Sequence, residues 1–274
     1  MRRALLAIIG LVFFAVCTTN AQTADTIIAK YIAQIGGMEK IQAVKTIRMT
    51  SKFSGGGGFE AVTVDESKRP NMQRSEFRLQ GMTGISAFDG KTGWKIEPWQ
   101  GKKDAESLSE EEIKPYLESD FDDVLLNYKQ KNIKVEYVGM DEFEGTDAYK
   151  LRVTYPSGTV KHYFMDTDYY VPIKIETKRI VRGAEVEFET ILGDYKEVGG
   201  VYYPHSIENG AKGNPNKVTV TVQKIEINVP LDDSRFTRPA TTLNTQTAPV
   251  KADASMEKPN QKKTEDATKK PPQQ

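Results

Sequence analysis

The sequence is poor in the residues that most catalytic and metal centres need. Its 274 residues include one cysteine, Cys17, and two histidines, His162 and His205, far apart in the chain. Zinc sites draw on several Cys and His ligands at close spacing, and none is available here. A serine–histidine pair would have to use one of those two histidines, and there is no Gly-x-Ser-x-Gly elbow. The glycines at 55 to 58 lack the Gly-Lys-Ser/Thr ending of a phosphate loop and read as a hairpin tip. Asp120, Asp122 and Asp123 lack the glycine and later glutamate of a calcium loop. Paired carboxylates such as Asp65 and Glu66 read more simply as surface charge than as an acid and base. No catalytic residue, metal or cofactor is therefore expected. Charge of one sign is missing too: 38 basic residues balance 38 acidic ones, without the basic stripe of a nucleic-acid binder.

Long apolar runs are also scarce. One opens the chain, where Arg2 and Arg3 precede the uncharged stretch from Ala4 to Val16 and Thr19-Asn20-Ala21 offers small residues for a signal peptidase. That run is too short to span a bilayer, so residues 1–21 are expected to be a secretory signal cleaved after Ala21. Cys17 lies within it, behind Phe14-Ala15-Val16, a context that disfavours a lipid-anchored form. The mature chain would have no cysteine, so its stability must come from a packed core rather than disulfides. At the other end, residues 240–274 turn to Thr, Lys, Gln, Pro and Ala without aromatics, the composition of a disordered tail. One folded domain is expected over 22–239.

Within that domain two helical turns come first, over Ala24 to Val44, with Asp25 as a cap and Gly36-Gly37 as the break. Strand patterns follow. Ile47, Met49 and Phe53 alternate with Arg48 and Lys52; Met72 to Leu79 and Met82 to Phe88 follow; and Asp89 to Gly93 turns into Trp94 and Ile96. Later, Tyr149, Leu151, Val153 and Tyr155 oppose Lys150, Arg152 and Thr154. Val218, Val220 and Val222 differ in parity from Ile225, Ile227 and Val229, which places a β-bulge near Gln223-Lys224. One apolar and one charged face per strand is the mark of an antiparallel sheet packed on one side and wet on the other. Leu108 to Tyr128 interrupts the strands with Ser109 as a cap ahead of Glu110, Glu111 and Glu112, and Pro115 should divide or bend this helical insertion.

This order, with Ile32 to Gly37, Ala87 to Trp94, Met165-Asp166-Thr167 before Val171 to Lys174, Gly193 to Lys196, Gly200 to Pro204 and Pro230 to Phe236, resembles the LolA/LolB-like lipoprotein-carrier superfamily of the Gram-negative periplasm. The resemblance implies a mainly β fold with helical insertions: a curved antiparallel sheet, or incomplete β-barrel, covered by helices, which holds lipid or lipoprotein acyl chains in the periplasm.

Apolar and aromatic residues near the insertion are the expected ligand-binding set. Met82, Ile85, Phe88, Trp94 and Trp99 precede it, and Ile113, Tyr116, Leu117, Phe121 and Leu125 lie on it. Each alone could equally fill a solid core; a curved sheet with an amphipathic cover is what makes the group read as a cavity and lid. The alternative is a sensor or scaffold that binds an inner- or outer-membrane protein partner, with the tail lysines (Lys251, Lys258, Lys262, Lys263, Lys269 and Lys270) touching the envelope. An integral outer-membrane barrel fits poorly with the polar composition and the helical insertion. Nucleic acid is not an expected partner, and an enzyme is not expected.

Overall fold

The computed structural model describes residues 22–181 and 184–239; the expected signal segment with Cys17 and the expected tail lie outside them. Helix α1 spans Ala24–Gln34 and α2 spans Met38–Ala43. Thr23, not Asp25, caps α1 by accepting the Thr26 amide, while Asp25 sits in the first turn and pairs with Lys129 and Tyr128. Gly36 ends the helix at φ +123°, and a Cβ there would lie 2.1 Å from the backbone oxygen of Gly200. Only glycine permits so close a backbone approach. The neighbouring Tyr202 amide donates to Ile35 O at 3.0 Å, so the end of α1 is fastened to the turn at Gly199-Gly200.

Thirteen strands then form one antiparallel sheet. The first group is β1 (Thr46–Gly55), β2 (Phe59–Lys68), β3 (Met72–Leu79), β4 (Met82–Phe88), β5 (Gly93–Glu97) and β6 (Lys102–Ser107). The short helices α3 (Glu110–Glu118) and α4 (Val124–Asn127) follow, then β7 (Lys134–Phe143), β8 (Thr146–Thr154), β9 (Val160–Asp166), β10 (Pro172–Val181), β11 (Ala184–Val198), β12 (Val201–Ala211) and β13 (Val218–Ile227). The spatial order is β6-β5-β4-β3-β2-β1-β13-β12-β11-β10-β9-β8-β7. Two meanders thus meet where β13 pairs with β1, and β6 and β7, consecutive in sequence, form the two free edges. Among the described residues no helix is long and apolar enough to cross a membrane.

The sheet is strongly bent. On α3, the Tyr116 hydroxyl bonds Ser86 of β4, while Glu118 two residues later accepts from Ser157 and Thr159 in the β8–β9 turn. Strands β4 and β9 are third and eleventh in the order, eight spacings apart. A flat sheet would separate them by roughly 38 Å at about 4.8 Å per strand. Two residues of one helix reach both only because the sheet curls around them.

The register confirms the expected bulge. Thr50 pairs with Lys224 and Ser51 with Val222, which leaves Gln223 without a partner on β1. The extra residue brings Val220 and Val222 onto the face that Ile225 and Ile227 share. This inner face also carries Ile47, Ile175, Leu151 and Val153, under α1, α2 and α4.

The outer face departs from the expectation of a wet surface. Along β4 both parities are buried, and a second cluster of Ile85, Ala87, Trp94, Ile96 and Ala105 sits on the outer side. The chain after β13 covers that side of the sheet. Lys68 donates to Leu231 O at 2.7 Å, Arg235 bonds Glu66 at 2.7 Å, Trp94 donates to Phe236 O at 2.8 Å, and Arg238 donates to Ala105 O at 2.6 Å. Residues 230–239 therefore form a strap from the midline to the β6 edge. It corrects the reading of Asp65 and Glu66 as surface charge: Glu66 is 1% exposed beneath the strap, between Arg48 and Arg74 in register, and Asp65 faces the opposite side. They cannot work as a pair.

Pro115 likewise falls inside α3 without dividing it. A capping box between Ser109 and Glu112 secures the start, and the break comes later, at Ser119 to Asp123.

Candidate functional site

The inner face and its helices enclose a chamber of about 390 Å³. Tyr31 of α1 and Ile35 at its C-terminal cap, with Ile41 and Val44 at α2, form one wall. Ile47, Ile175, Leu192 and Val201 come from the sheet, and Phe121 and Leu126 come from the α3–α4 segment. The volume falls within the roughly 300–1,000 Å³ usual for ligand pockets. A second hollow of about 430 Å³ shares Leu192, Tyr195 and Tyr202 with it and continues past Val171 and Ile173 to Tyr169, which is 63% exposed. The two hollows adjoin at these shared residues, where the Tyr195 hydroxyl is held on Pro172 O at 2.7 Å. A third hollow, about 300 Å³, lies under α3 on β3–β5.

The charged residues lining the chamber are Asp122 and Asp123, adjacent in the chain. Asp122 is held by both terminal nitrogens of Arg69, which also donates to Val44 O and Ile41 O and stacks on the Phe121 ring at 4.3 Å. Asp123 caps α4 by accepting the Leu125 amide at 2.8 Å. Burial pushes its carboxyl up to about 6, against the Leu125 amide and the charge of Lys161, with Asp122 adding to the rise. Tyrosines 31, 155, 163 and 195 stand around it, and their hydroxyls are pushed up by the same burial and by its charge. The folded state thus holds this proton more tightly than the unfolded chain does. Its stabilising effect is complete below about pH 4 and is lost as pH rises through about 6. Urea unfolding followed across that window should show stability falling, and Asp123→Asn, which keeps the cap, should flatten the trend. An unchanged slope would mean that Asp123 is solvated.

The residues expected from the sequence are placed in several surroundings. Phe88 and Tyr116 stack at 5.4 Å under α3, and Tyr116 and Trp99 line the third hollow. Trp99 lies on Gly84, where a Cβ would be 2.0 Å from its ring, and meets Phe77 edge-on at 5.9 Å. Phe121 lines the chamber, and Leu125 is fully buried in the main core beside it. Ile85 and Trp94 belong to the outer-face cluster under the strap, although Ile85 also borders the third hollow. Ile113 is half-buried, while Met82 and Leu117 are exposed, Leu117 at 59%. Leu117 therefore leaves the face that Ile113 and Tyr116 share.

Sequence reasoning missed most of the chamber wall. Ile35 and the Gly200 to Pro204 stretch carried a signal, but it read as a helix and a turn rather than as a wall.

Helix α3 has no fully buried residue. Polar links and the Tyr116–Phe88 stack hold it: Asn71 donates to Tyr116 O at 3.1 Å, Gln73 bonds Ser119 at 2.9 Å and Lys95 bonds Glu112 at 2.6 Å. Exposed links of this kind contribute little each.

No family model and no curated protein matches the sequence. Solved structures do. An outer membrane lipoprotein-sorting protein domain from Vibrio parahaemolyticus superposes with a TM-score of 0.55 at 13% identity, over 78% of this chain and 95% of that one. A DUF1329 family protein from Desulfovibrio piger gives 0.54 at 12% identity, over 78% and 97%. A LolA superfamily protein from Nitrosomonas europaea gives 0.52 at 14%, over 79% and 98%. Each is covered almost end to end by the described sheet and helices, and this chain has the LolA-like fold.

Proposed function

We propose that this protein is a periplasmic binding and carrier protein for an apolar ligand, a lipid or the acyl chains of a lipoprotein, and that it performs no catalysis. The observation that carries this reading is the pair of adjoining, mostly apolar hollows that share Leu192, Tyr195 and Tyr202, one under α1 and one reaching Tyr169. Each methylene moved from water into such a space contributes about 0.8 kcal/mol, so one alkyl chain supplies most of the affinity without any specific polar contact. The likeness to a domain described as lipoprotein-sorting supports the same reading by analogy of fold, a weaker warrant than the site itself. Export by the N-terminal segment would deliver the chain to the compartment where such ligands move between membranes.

The test is binding of a neutral, environment-sensitive naphthylamine dye, together with solvent extraction of protein isolated from its own envelope. The dye should brighten on binding, and extraction should release lipid. Leu192→Trp, placed where the two hollows meet, should reduce dye affinity at least about tenfold, as lost apolar contact predicts, while the thermal transition stays in place. Absence of both dye uptake and extractable lipid would refute the proposal.

A further inference from the structure

We infer that the chamber takes amphiphiles whose head group donates hydrogen bonds, an alkylammonium or an alkyl alcohol, in preference to carboxylates or phosphates of the same chain length. This rests on the apolar-carrier reading above and adds the chemistry of the ligand's polar end. Its basis is an asymmetry in the wall. All polar side chains lining the chamber are carboxylates or tyrosines: Asp122, Asp123, Tyr31, Tyr195, Tyr202 and Tyr203. No lysine, arginine or histidine lines it, and the adjoining hollow adds only Gln34, Asp166 and Tyr169 to the polar set.

The cations nearby are committed elsewhere. Arg69 spends four hydrogen bonds on Asp122, Ile41 O and Val44 O, with its guanidinium face on Phe121. Lys161 stands over the Tyr155 ring at 4.8 Å. An anionic head brought to this end would meet Asp123 at close range with no lining cation to offset it. Like charges in such surroundings disfavour each other strongly. A donor head has the opposite fortune, because an ionised carboxylate only accepts hydrogen bonds and forms its strongest ones with charged donors. Asp123 is well placed for this. It sits at the N-cap of α4, forms part of the chamber wall and is only partly buried. The apolar chamber wall of Ile35, Ile41, Val44, Ile47, Ile175 and Leu192 is then left for the alkyl chain.

The experiment compares dodecylamine, dodecanol and dodecanoate below their aggregation concentrations, near neutral pH, by calorimetry on the full protein and on Asp123→Asn. The amine and the alcohol should each bind on the order of tenfold tighter than dodecanoate, the scale of one charge-assisted hydrogen bond gained or refused. The two arms separate a charged donor from a neutral one. Asparagine still caps a helix, so the variant should fold, and it should narrow the gap between amine and carboxylate. Dodecanoate binding as tightly as the amine, or a gap untouched by Asp123→Asn, would overturn the inference while leaving the carrier reading intact. Failure of all three ligands and of the neutral dye would instead remove the carrier reading, and this inference with it.

Discussion

Phe236→Ala should lower the free energy of unfolding by about 3–5 kcal/mol, the range for deleting a fully buried aromatic side chain. Phe236 is 0% exposed, and its carbonyl accepts the indole N–H of Trp94, itself 3% exposed, at 2.8 Å. Phe236 lies nine residues beyond the end of β13, yet its backbone is fastened to Trp94 of β5 on the outer side of the sheet. Deleting so fully buried a ring leaves a cavity that its surroundings can fill only in part. Urea unfolding read by Trp fluorescence and by far-UV circular dichroism measures the loss. A change below about 1 kcal/mol would show the strap to be peripheral, since surface substitutions stay near that scale.

Glu66→Leu should be comparably damaging, for an electrostatic reason. Glu66 is 1% exposed and meets Arg48 at 2.8 Å, Arg235 at 2.7 Å and Arg74 at 3.8 Å. Removing the one carboxylate common to three guanidinium groups leaves partly buried cations facing one another, a defect of about 3–5 kcal/mol. Two features soften it. Arg74 retains Glu76 at 2.5 Å, and Arg48 is about one-third exposed. The decisive measurement is a double-mutant cycle. Arg235→Met placed on Glu66→Leu should recover part of the loss, because it removes one of the stranded charges. Strict additivity would show that Arg235 and Glu66 are not coupled.

Much of the fold was legible in the sequence. Alternation in β1, β8 and β13 is strong because each places β-branched or aromatic residues on one parity and charge on the other. The parity change at Gln223 marked the bulge for the same reason. The strap was not legible as a cover. Pro230 to Phe236 has no periodicity, and its contacts are with strands far away in sequence. Nor could Glu66 be told from surface charge, since a carboxylate buried among arginines has the same letter as a solvated one. The chamber was partly hidden by a related ambiguity. Trp94 and Phe88 look alike as apolar residues flanking one turn, but they occupy opposite parities of neighbouring strands and face opposite sides of the sheet. Tyr195 and Val201 to Pro204 gained their role only when the β11–β12 hairpin came to lie beside the end of α1.

The two free edges, β6 and β7, are joined through a single stretch of chain that carries α3 and α4. That stretch acts as a drawstring. On the carrier reading proposed above, a guest that spread the trough would part the rims only as far as the slack between Ser119 and Asp123 permits, so girth and lid position would not be independent variables. A bulkier cargo would then have to lift α3 away from Ser86 and Ser157 together, which would make lid displacement a gauge of how full the trough is.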